Sequence, residues 1–464
     1  MVATLPRRPD TVSSSTALVA ASAIGIGYLV ILGWAMKTYS YDYWGGVLLV
    51  PLCFAVGAPI VARVTRNDAA PIQTVALIGL GAKLLGAFLR YFVMKSAFDS
   101  AGDFERYHQA SVQLAATKSG LLAPLTAWPT SQGTFFVEEV TGFVYTIIGP
   151  SRMGGFVMFS FIAYWGLFFF QRAVATAAPA LNQARYAKLV FLWPSLLFWP
   201  SSIGKEALML FALGLATLGA ARMHVGRIIS GPVLFGLGGW ITYSIRPHLT
   251  VLLVGALVVS YVVPAARAHE RSSRGLGPLP RVVALAVMLV CLTFLMGQTT
   301  DYFGVDDGDN ITQILTITEQ RTAVGGSLIE SSRPNSVLEY PNAVVTVLFR
   351  PFIFEARSVP MLISAAETTM LAGLTIVSLR RIGRAFKAPQ RTRLVVFTLV
   401  FSAAFVFAFS TFSNLGLLAR QRAQVLPFLF VLFAAPTVTR ERQRTETPRL
   451  AERQAPAGFS GSRR

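Results

Sequence analysis

Phe198-Trp199-Pro200-Ser201-Ser202-Ile203-Gly204-Lys205-Glu206 joins two apolar runs, near residues 186–203 and 206–221, and sets a lysine and a glutamate at the joint. Each run is long enough to cross or nearly cross a bilayer, and charge between two such runs is costly, so it marks a functional site by default. A helix opening at Ser201 or Ser202 would aim free N–H groups and a positive dipole end toward whatever Lys205 faces. That arrangement suits a phosphate. Glu206 in a first helical turn would also favour the dipole by itself, so a capping role stands beside the ligand role.

Working outward, further apolar runs lie near 17–36, 45–62, 72–94, 153–171, 228–245, 249–265, 282–298, 359–379, 394–413 and 421–438. The chain is 53% hydrophobic and 14% charged over 464 residues. A soluble protein of this size needs more polar surface, so the expected fold is all-α: a polytopic transmembrane helical bundle of about twelve spans. The first run reads as an uncleaved span rather than a signal peptide, being long and followed by more spans. Cys53 and Cys291 both fall in apolar runs and imply neither a disulfide framework nor a cysteine metal site.

The net charge of +19 invites a nucleic-acid reading, and its distribution removes the invitation. With the N-terminus inside, the segments on the cytoplasmic side hold most of the Lys and Arg and few of the Asp and Glu. The excess therefore reports orientation, as positive charge stays inside, and contact with anionic membrane lipids. No nucleic acid is expected as a partner. Both termini are expected in the cytoplasm, with residues 1–16 and 439–464 as disordered tails flanking a helical domain over 17–438. Two outer loops are long, 95–152 and 299–358, and long loops with patterning of their own are usually functional. In the second, the apolar segment from Ala343 to Glu355 is too short to span and reads as re-entrant or interfacial. No internal repeat is evident, which weighs against transporters built from paired halves.

Cations gather at the outer joints: Lys205 beside Glu206, Arg246-Pro247-His248, Arg350 in the short apolar segment, and Arg420 and Arg422 at the start of the last run. Lys83 and Arg90, seven residues apart in the third run, share a helix face and point to the protein interior or a wet cavity. Bland readings stand beside each. Arg420 and Arg422 could snorkel, Lys83 and Arg90 could pair with buried carboxylates, and Arg246-Pro247-His248 could simply turn the chain. An anionic ligand on the outer face accounts for the coincidence of all of them. Within Asp99-Ser-Ala-Gly-Asp103-Phe-Glu105-Arg106-Tyr107-His108, a carboxylate can serve as general base toward a hydroxyl, or merely solvate the loop.

Other motifs fall short. Asp306-Asp307-Gly308-Asp309-Asn310 lacks the spacing and closing Glu of an EF-hand, and Gly204-Lys205 lacks the upstream glycine of a Walker A loop. No zinc spacing or Gly-x-Ser-x-Gly elbow occurs. Neither a metal nor a cofactor is expected.

The acidic motif from Asp103 to Tyr107, in the first large outer loop, resembles that of polytopic glycosyltransferases of the GT-C type. The joint Trp199-Pro-Ser-Ser-Ile-Gly-Lys-Glu206, the Arg246-Pro-His248 turn and the late Asn414-Leu-Gly-Leu-Leu-Ala-Arg-Gln-Arg422 are similar to elements of bacterial O-antigen and exopolysaccharide polymerase-like membrane proteins. The resemblance covers about residues 70–435. GT-C enzymes usually carry the acidic motif after the first span, whereas here it follows the third, which favours a polymerase-like relative. The resemblance implies a polyprenyl-phosphate- or pyrophosphate-linked sugar or oligosaccharide as substrate, at the outer face of the cytoplasmic membrane. Other envelope-glycan proteins are implied as partners. A compatible chemistry has Lys205, Arg246 and one or more of Arg350, Arg420 and Arg422 holding the phosphate. Asp103, Asp99 or His108 would deprotonate an acceptor hydroxyl. A flippase for lipid-linked glycans and a non-catalytic envelope-assembly protein are the alternatives.

Overall fold

The computed structural model describes residues 14–97, 102–117, 129–263, parts of 286–297, 311–323, 327–386 and 392–436. Asp99, the acidic run 301–309, most of the run 282–298 and both expected tails, apart from residues 14–16, lie outside the described residues.

Among the described residues the protein is all-helical, with a single isolated bridge, Leu328 to Asn414, in place of any sheet. In chain order, α1 is Ser14–Thr38, α2 Tyr41–Val64, α3 Ala70–Ala97, α4 Asp103–Thr117, α5 Thr134–Ile148, α6 Arg152–Ala177, α7 Gln183–Leu192 and α8 Pro194–Phe198. Then come α9 Lys205–His224, α10 Ser230–Ile245, α11 Pro247–Val262, α12 Ile311–Thr322, α13 Tyr340–Phe349, α14 Val359–Ala385, α15 Arg393–Phe409 and α16 Leu415–Phe433. Among the described residues, six helices (α2, α3, α6, α9, α14 and α16) are long and apolar enough to cross a membrane.

The sequence runs and the helices differ instructively. The run 186–203 is broken into α7 and α8 at Trp193, because Pro194 has no N–H to donate and forces its predecessor into an extended conformation (φ −72°, ψ 130°). The runs near 228–245, 249–265 and 394–413 fold as α10, α11 and α15, of 16, 16 and 17 residues. The first long loop is itself helical, α4 packing on α5 through Ser111, whose hydroxyl donates to the Glu138 carbonyl at 2.8 Å. The segment Ala343–Glu355 forms the last turns of α13 followed by a short 3₁₀ turn.

Burial sorts the long helices into layers. About 78% of the apolar window of α9 and of α16, and 72% of α6, is buried, against 22% of α2 and of α14. The outer helices present Leu52, Val56 and Ile60, and Ile363, Ile376 and Val377, outward. Apolar surface of that extent is sustainable only against lipid. Within hydrocarbon there is little hydrophobic drive between helices, so close backbone contact has to hold the centre. Small residues provide it: Gly166 of α6 lies against Gly214 of α9, and a Cβ on either would strike the other helix's backbone. On the opposite face of α9, Gly238 of α10 sits as tightly on Ala212 and Ala216.

The two ends of the bundle differ in charge. Arg172 pairs with Asp68 at the end of α6, and α9 ends at Arg222 and His224. Arg381 and Arg384 donate to the carbonyls of Ala435 and Pro436 just beyond α16 (2.8 and 3.1 Å). At the other end, where α9 and α16 begin, the segment 327–332 lies antiparallel beside 410–415. Ile329 N–H donates to Ser413 O, Ser332 N–H to Ser410 O and Leu415 N–H to Ser327 O, at 2.9, 2.9 and 3.0 Å.

Candidate functional site

Helix starts converge at this second end. The first two turns of α4 and α16, the first turns of α5 and α9, and the residue that caps α11 surround a cavity of about 190 Å³ lined by Asp103, Arg106, Tyr107, Thr134, Lys205, Glu206, Arg246, Leu417, Arg420 and Gln421. Each contribution follows from local structure. Asp103, Arg106 and Tyr107 stand at i, i+3 and i+4 of α4 and so share a face, as do Leu417, Arg420 and Gln421 on α16. Asn414 caps α16, its side-chain oxygen accepting from Leu417 N–H at 3.0 Å and from the Ser327 hydroxyl at 2.9 Å. Gly133, at φ 67°, lets the chain turn into α5 while its N–H donates to Ser244 O at 2.6 Å, locking Thr134 beside the end of α10. The α9 start lies later than expected. The helix opens at Lys205 with Gly204 at its cap, and neither serine caps it. Ser201 instead donates to Leu197 O at 2.6 Å and pairs with Ser160 at 3.1 Å.

The lining holds four cations and two carboxylates. Glu206 forms the floor, its side chain 6% exposed, and accepts from Arg420 Nη2 at 2.9 Å. The same nitrogen reaches Asp103 at 3.4 Å, but Asp103 sits at the rim, 65% exposed. Arg420 thus bridges a buried carboxylate and a solvated one. Arg246 donates to Gln421, whose side-chain oxygen also accepts from Gln424 at 2.6 Å. The Lys205 amine donates to Thr134 Oγ1 at 3.0 Å and makes no ion pair among the described residues. Arg106, at the rim, pairs with Glu138 at 3.1 Å. Tyr107 turns a phenol toward the cavity. Burial first, and then the nearby carboxylates Asp103 and Glu206, push that phenol's pKa up, so it stays protonated and remains a donor. Positive charge, hydrogen-bond donors and neighbouring helix starts around one concavity are features that suit an anion.

The sequence candidates divide on this geometry. Asp103, Lys205, Glu206, Arg246 and Arg420 line the cavity. Lys83, fully buried, donates instead to Leu196 O and Pro200 O at 2.7 and 3.0 Å, satisfying carbonyls freed where α8 ends. Arg422, also buried, donates to Val347 O at 3.0 Å and to Arg350 O, closing the C-terminus of α13. Arg350 is held by Glu355, Nε to Oε1 at 2.9 Å. His248 lies near the Phe409 ring, with centroids 6.4 Å apart. His108 Nδ1 meets Tyr145 OH at 2.7 Å, away from the cavity, and burial lowers its pKa, leaving it neutral. Arg90 is buried with its guanidinium over Phe198 and Trp199, 4.7 and 4.6 Å from the ring centroids. Arg106, Tyr107, Thr134 and Gln421 join the site. The first two were visible inside the acidic motif and Gln421 beside Arg420, whereas nothing in the sequence singles out Thr134.

Comparison with protein-family models, curated proteins and solved structures finds no match to this chain.

Proposed function

We propose that this protein is a membrane glycosyltransferase or polysaccharide polymerase. It would transfer sugar units from a polyprenyl-phosphate- or pyrophosphate-linked donor to an acceptor hydroxyl at the outer face of the cytoplasmic membrane. The observation that carries the reading is the cavity where Lys205, Arg246 and Arg420 face one concavity with an exposed carboxylate, Asp103, at its rim. The cavity opens at the end of the bundle opposite the one where Arg172, Arg222, Arg381 and Arg384 gather. By the retention of positive charge on the cytoplasmic side, it faces outward. There nucleotides are scarce and lipid-linked sugars are exposed. On this reading the shorter apolar helices also cross, for about twelve passes with both termini inside. The α13 segment re-enters the membrane, and the long loops shape the glycan groove.

The chemistry follows from the charges. A donor phosphate seated on Lys205, Arg246 and Arg420 has the negative charge of its leaving oxygen neutralised as the glycosidic bond breaks. The acceptor hydroxyl attacks the anomeric carbon, and Asp103 at the mouth takes its proton. Tyr107 donates to the phosphate or to a sugar oxygen. Glu206 stays on the floor as counter-charge to Arg420, keeping that guanidinium extended into the cavity.

The decisive experiment supplies purified protein in nanodiscs with a lipid-linked oligosaccharide and reads product length. Elongation that is lost in Lys205→Ala and Arg246→Ala supports the proposal. Movement of the lipid between leaflets without elongation would favour a flippase, and neither activity would leave an assembly role.

A further inference from the structure

The helix that carries Asp103 is held from its other side. Successive helical residues turn by about 100°, so Glu105, two positions on from Asp103, projects from the opposite flank of α4. There the Arg152 guanidinium takes it in a two-pronged grip, Nε to Oε2 at 2.9 Å and Nη2 to Oε1 at 2.6 Å. Gln109, one turn further along α4, donates to Glu105 Oε1 at 3.0 Å and steadies the carboxylate in that orientation. Arg152 is itself fixed at its base. It opens α6 behind the Ser151 cap, its N–H donates to Asp42 Oδ1 at 2.8 Å, and its guanidinium also pairs with Asp42 in the first turn of α2. Arg152 is 29% exposed and each carboxylate 24%, which sets this pairing between the weak surface limit and the dry interior.

Asp103 has no such hold among the described residues. It is 65% exposed and meets Arg420 at 3.4 Å, so its place at the rim is inherited from α4. Two contacts lay α4 against α6, a membrane-crossing helix. Phe104 meets Phe156 edge-on, with ring centroids 5.2 Å apart, and Glu105 meets Arg152. The ring contact buries area but tolerates rolling, since the hydrophobic effect has no direction. A bidentate arginine–carboxylate pair is planar and directional, and it fixes the roll. A helical side chain reaches about 5–6 Å from the axis, so a roll of about 15° shifts the Asp103 carboxylate by about 1.5 Å.

We propose that Arg152 is a positioning residue for the transfer reaction: by gripping Glu105 it sets the roll of α4, and with it the place of the Asp103 carboxylate at the cavity mouth. The proposal rests on the proposed function for what Asp103 does, and on geometry alone for where α4 sits. Lys205 and Arg420 stand on α9 and α16, and Arg246 at the joint of α10 and α11, so the cations that seat the donor do not move with α4. Arg152 therefore acts on turnover far more than on donor affinity.

The test uses the full chain in nanodiscs with a lipid-linked oligosaccharide. A misplacement of about 1 Å costs up to about a hundredfold in rate. Arg152→Gln and Glu105→Gln should therefore each slow single-turnover elongation about 10–100-fold, while the half-saturating donor concentration changes less than about twofold. Arg152→Lys keeps the charge but loses the fork, and should recover little of that rate. Placement is read separately, in protein whose Cys53 and Cys291 are replaced by alanine. There Asp103→Cys and Leu417→Cys, at two positions that line the cavity, are joined by a short bis-maleimide, and adding Arg152→Gln should slow the cross-link several-fold. Unchanged elongation in Arg152→Gln, or slower elongation with cross-linking unchanged, would overturn the proposal. So would rate and donor affinity falling together and returning with Arg152→Lys, the behaviour of a charge that only stabilises the fold. An unmodified protein that elongates nothing would sink the proposed function, and the cross-linking comparison would still decide the placement of α4.

Discussion

Glu206 and Asp103 both contact the same nitrogen of Arg420, and their unequal burial makes a quantitative contrast. Glu206→Gln removes the charge from a side chain 6% exposed that accepts from Arg420 at 2.9 Å. Breaking a buried pair by removing one partner costs about 3–5 kcal/mol, since the other charge is left uncompensated. Here Arg420 is itself 28% exposed and keeps Asp103 at 3.4 Å, so the cost falls to the lower end of that scale or below it. The expected destabilisation is about 2–3 kcal/mol, near that of losing one hydrogen bond to a charged group. Asp103→Asn, at a side chain 65% exposed and 3.4 Å away, should cost about 0–1 kcal/mol. Reversible unfolding in mixed micelles, titrated with a denaturing detergent, measures both. A double-mutant cycle with Arg420→Gln should assign most of the Glu206 loss to the pair. If Asp103→Asn is as damaging as Glu206→Gln, or Glu206→Gln is neutral, then Glu206 is not the counter-charge that organises the cavity.

Further outcomes follow from the same geometry. As the proposed base, Asp103→Asn should slow elongation by about 10²–10⁴-fold while lipid binding persists, read by product length in single-turnover assays; full activity would remove Asp103 from the chemistry. Lys83→Met should lower the unfolding midpoint without changing the relative affinities for phosphate ligands, because its ammonium serves the carbonyls of Leu196 and Pro200. A selective loss of ligand binding would contradict that placement. Glu105 lies outside the spanning helices, where its hydrogen bonds from Arg152, at 2.9 and 2.6 Å, hold its pKa down to about 2 against the effect of burial. A depressed carboxylate contributes stability that is full above its unfolded value near 4.5 and is lost as pH falls toward 2. Thermal unfolding followed from pH 6 to pH 2 should therefore drop most steeply below pH 4.5, and Glu105→Gln should flatten part of that drop.

Helical class and membrane character could be read from the runs of apolar residues, since length and hydropathy alone govern both. The cations were harder. Lys205, Arg246 and Arg420 stand in the cavity and Lys83, Arg350 and Arg422 do not, although all six looked alike as charges near apolar runs. Lys83 and Arg422 are drawn to backbone carbonyls that lose their helical partners at three-dimensional breaks, the end of α8 and the end of α13, and Arg350 is taken by Glu355. The proline in Trp193-Pro194 signals the first break, yet no local pattern says that a lysine over a hundred residues earlier will fill it. The serine cap foreseen for α9 failed for a related reason: Ser201 is taken by Leu197 and Ser160 within the preceding turn. Thr134 enters the site only through the turn at Gly133, a feature of backbone conformation rather than of residue chemistry.

The glycine contacts at the centre of the bundle have a geometric corollary. Gly214 lies nine residues along α9 from Lys205, about 14 Å from the cavity wall that this lysine forms. The spacing between α9 and its neighbours is fixed there by absent side chains, and α9 and α10 carry that spacing up to Lys205 and Arg246 like the arms of calipers. A methyl group added at Gly238 would wedge α9 from α10 and splay the tips, changing the gap between cations without touching either, whereas one at Gly214 would press α9 away from α6. The aperture of the cation-lined cavity is thus gauged from the middle of the bundle.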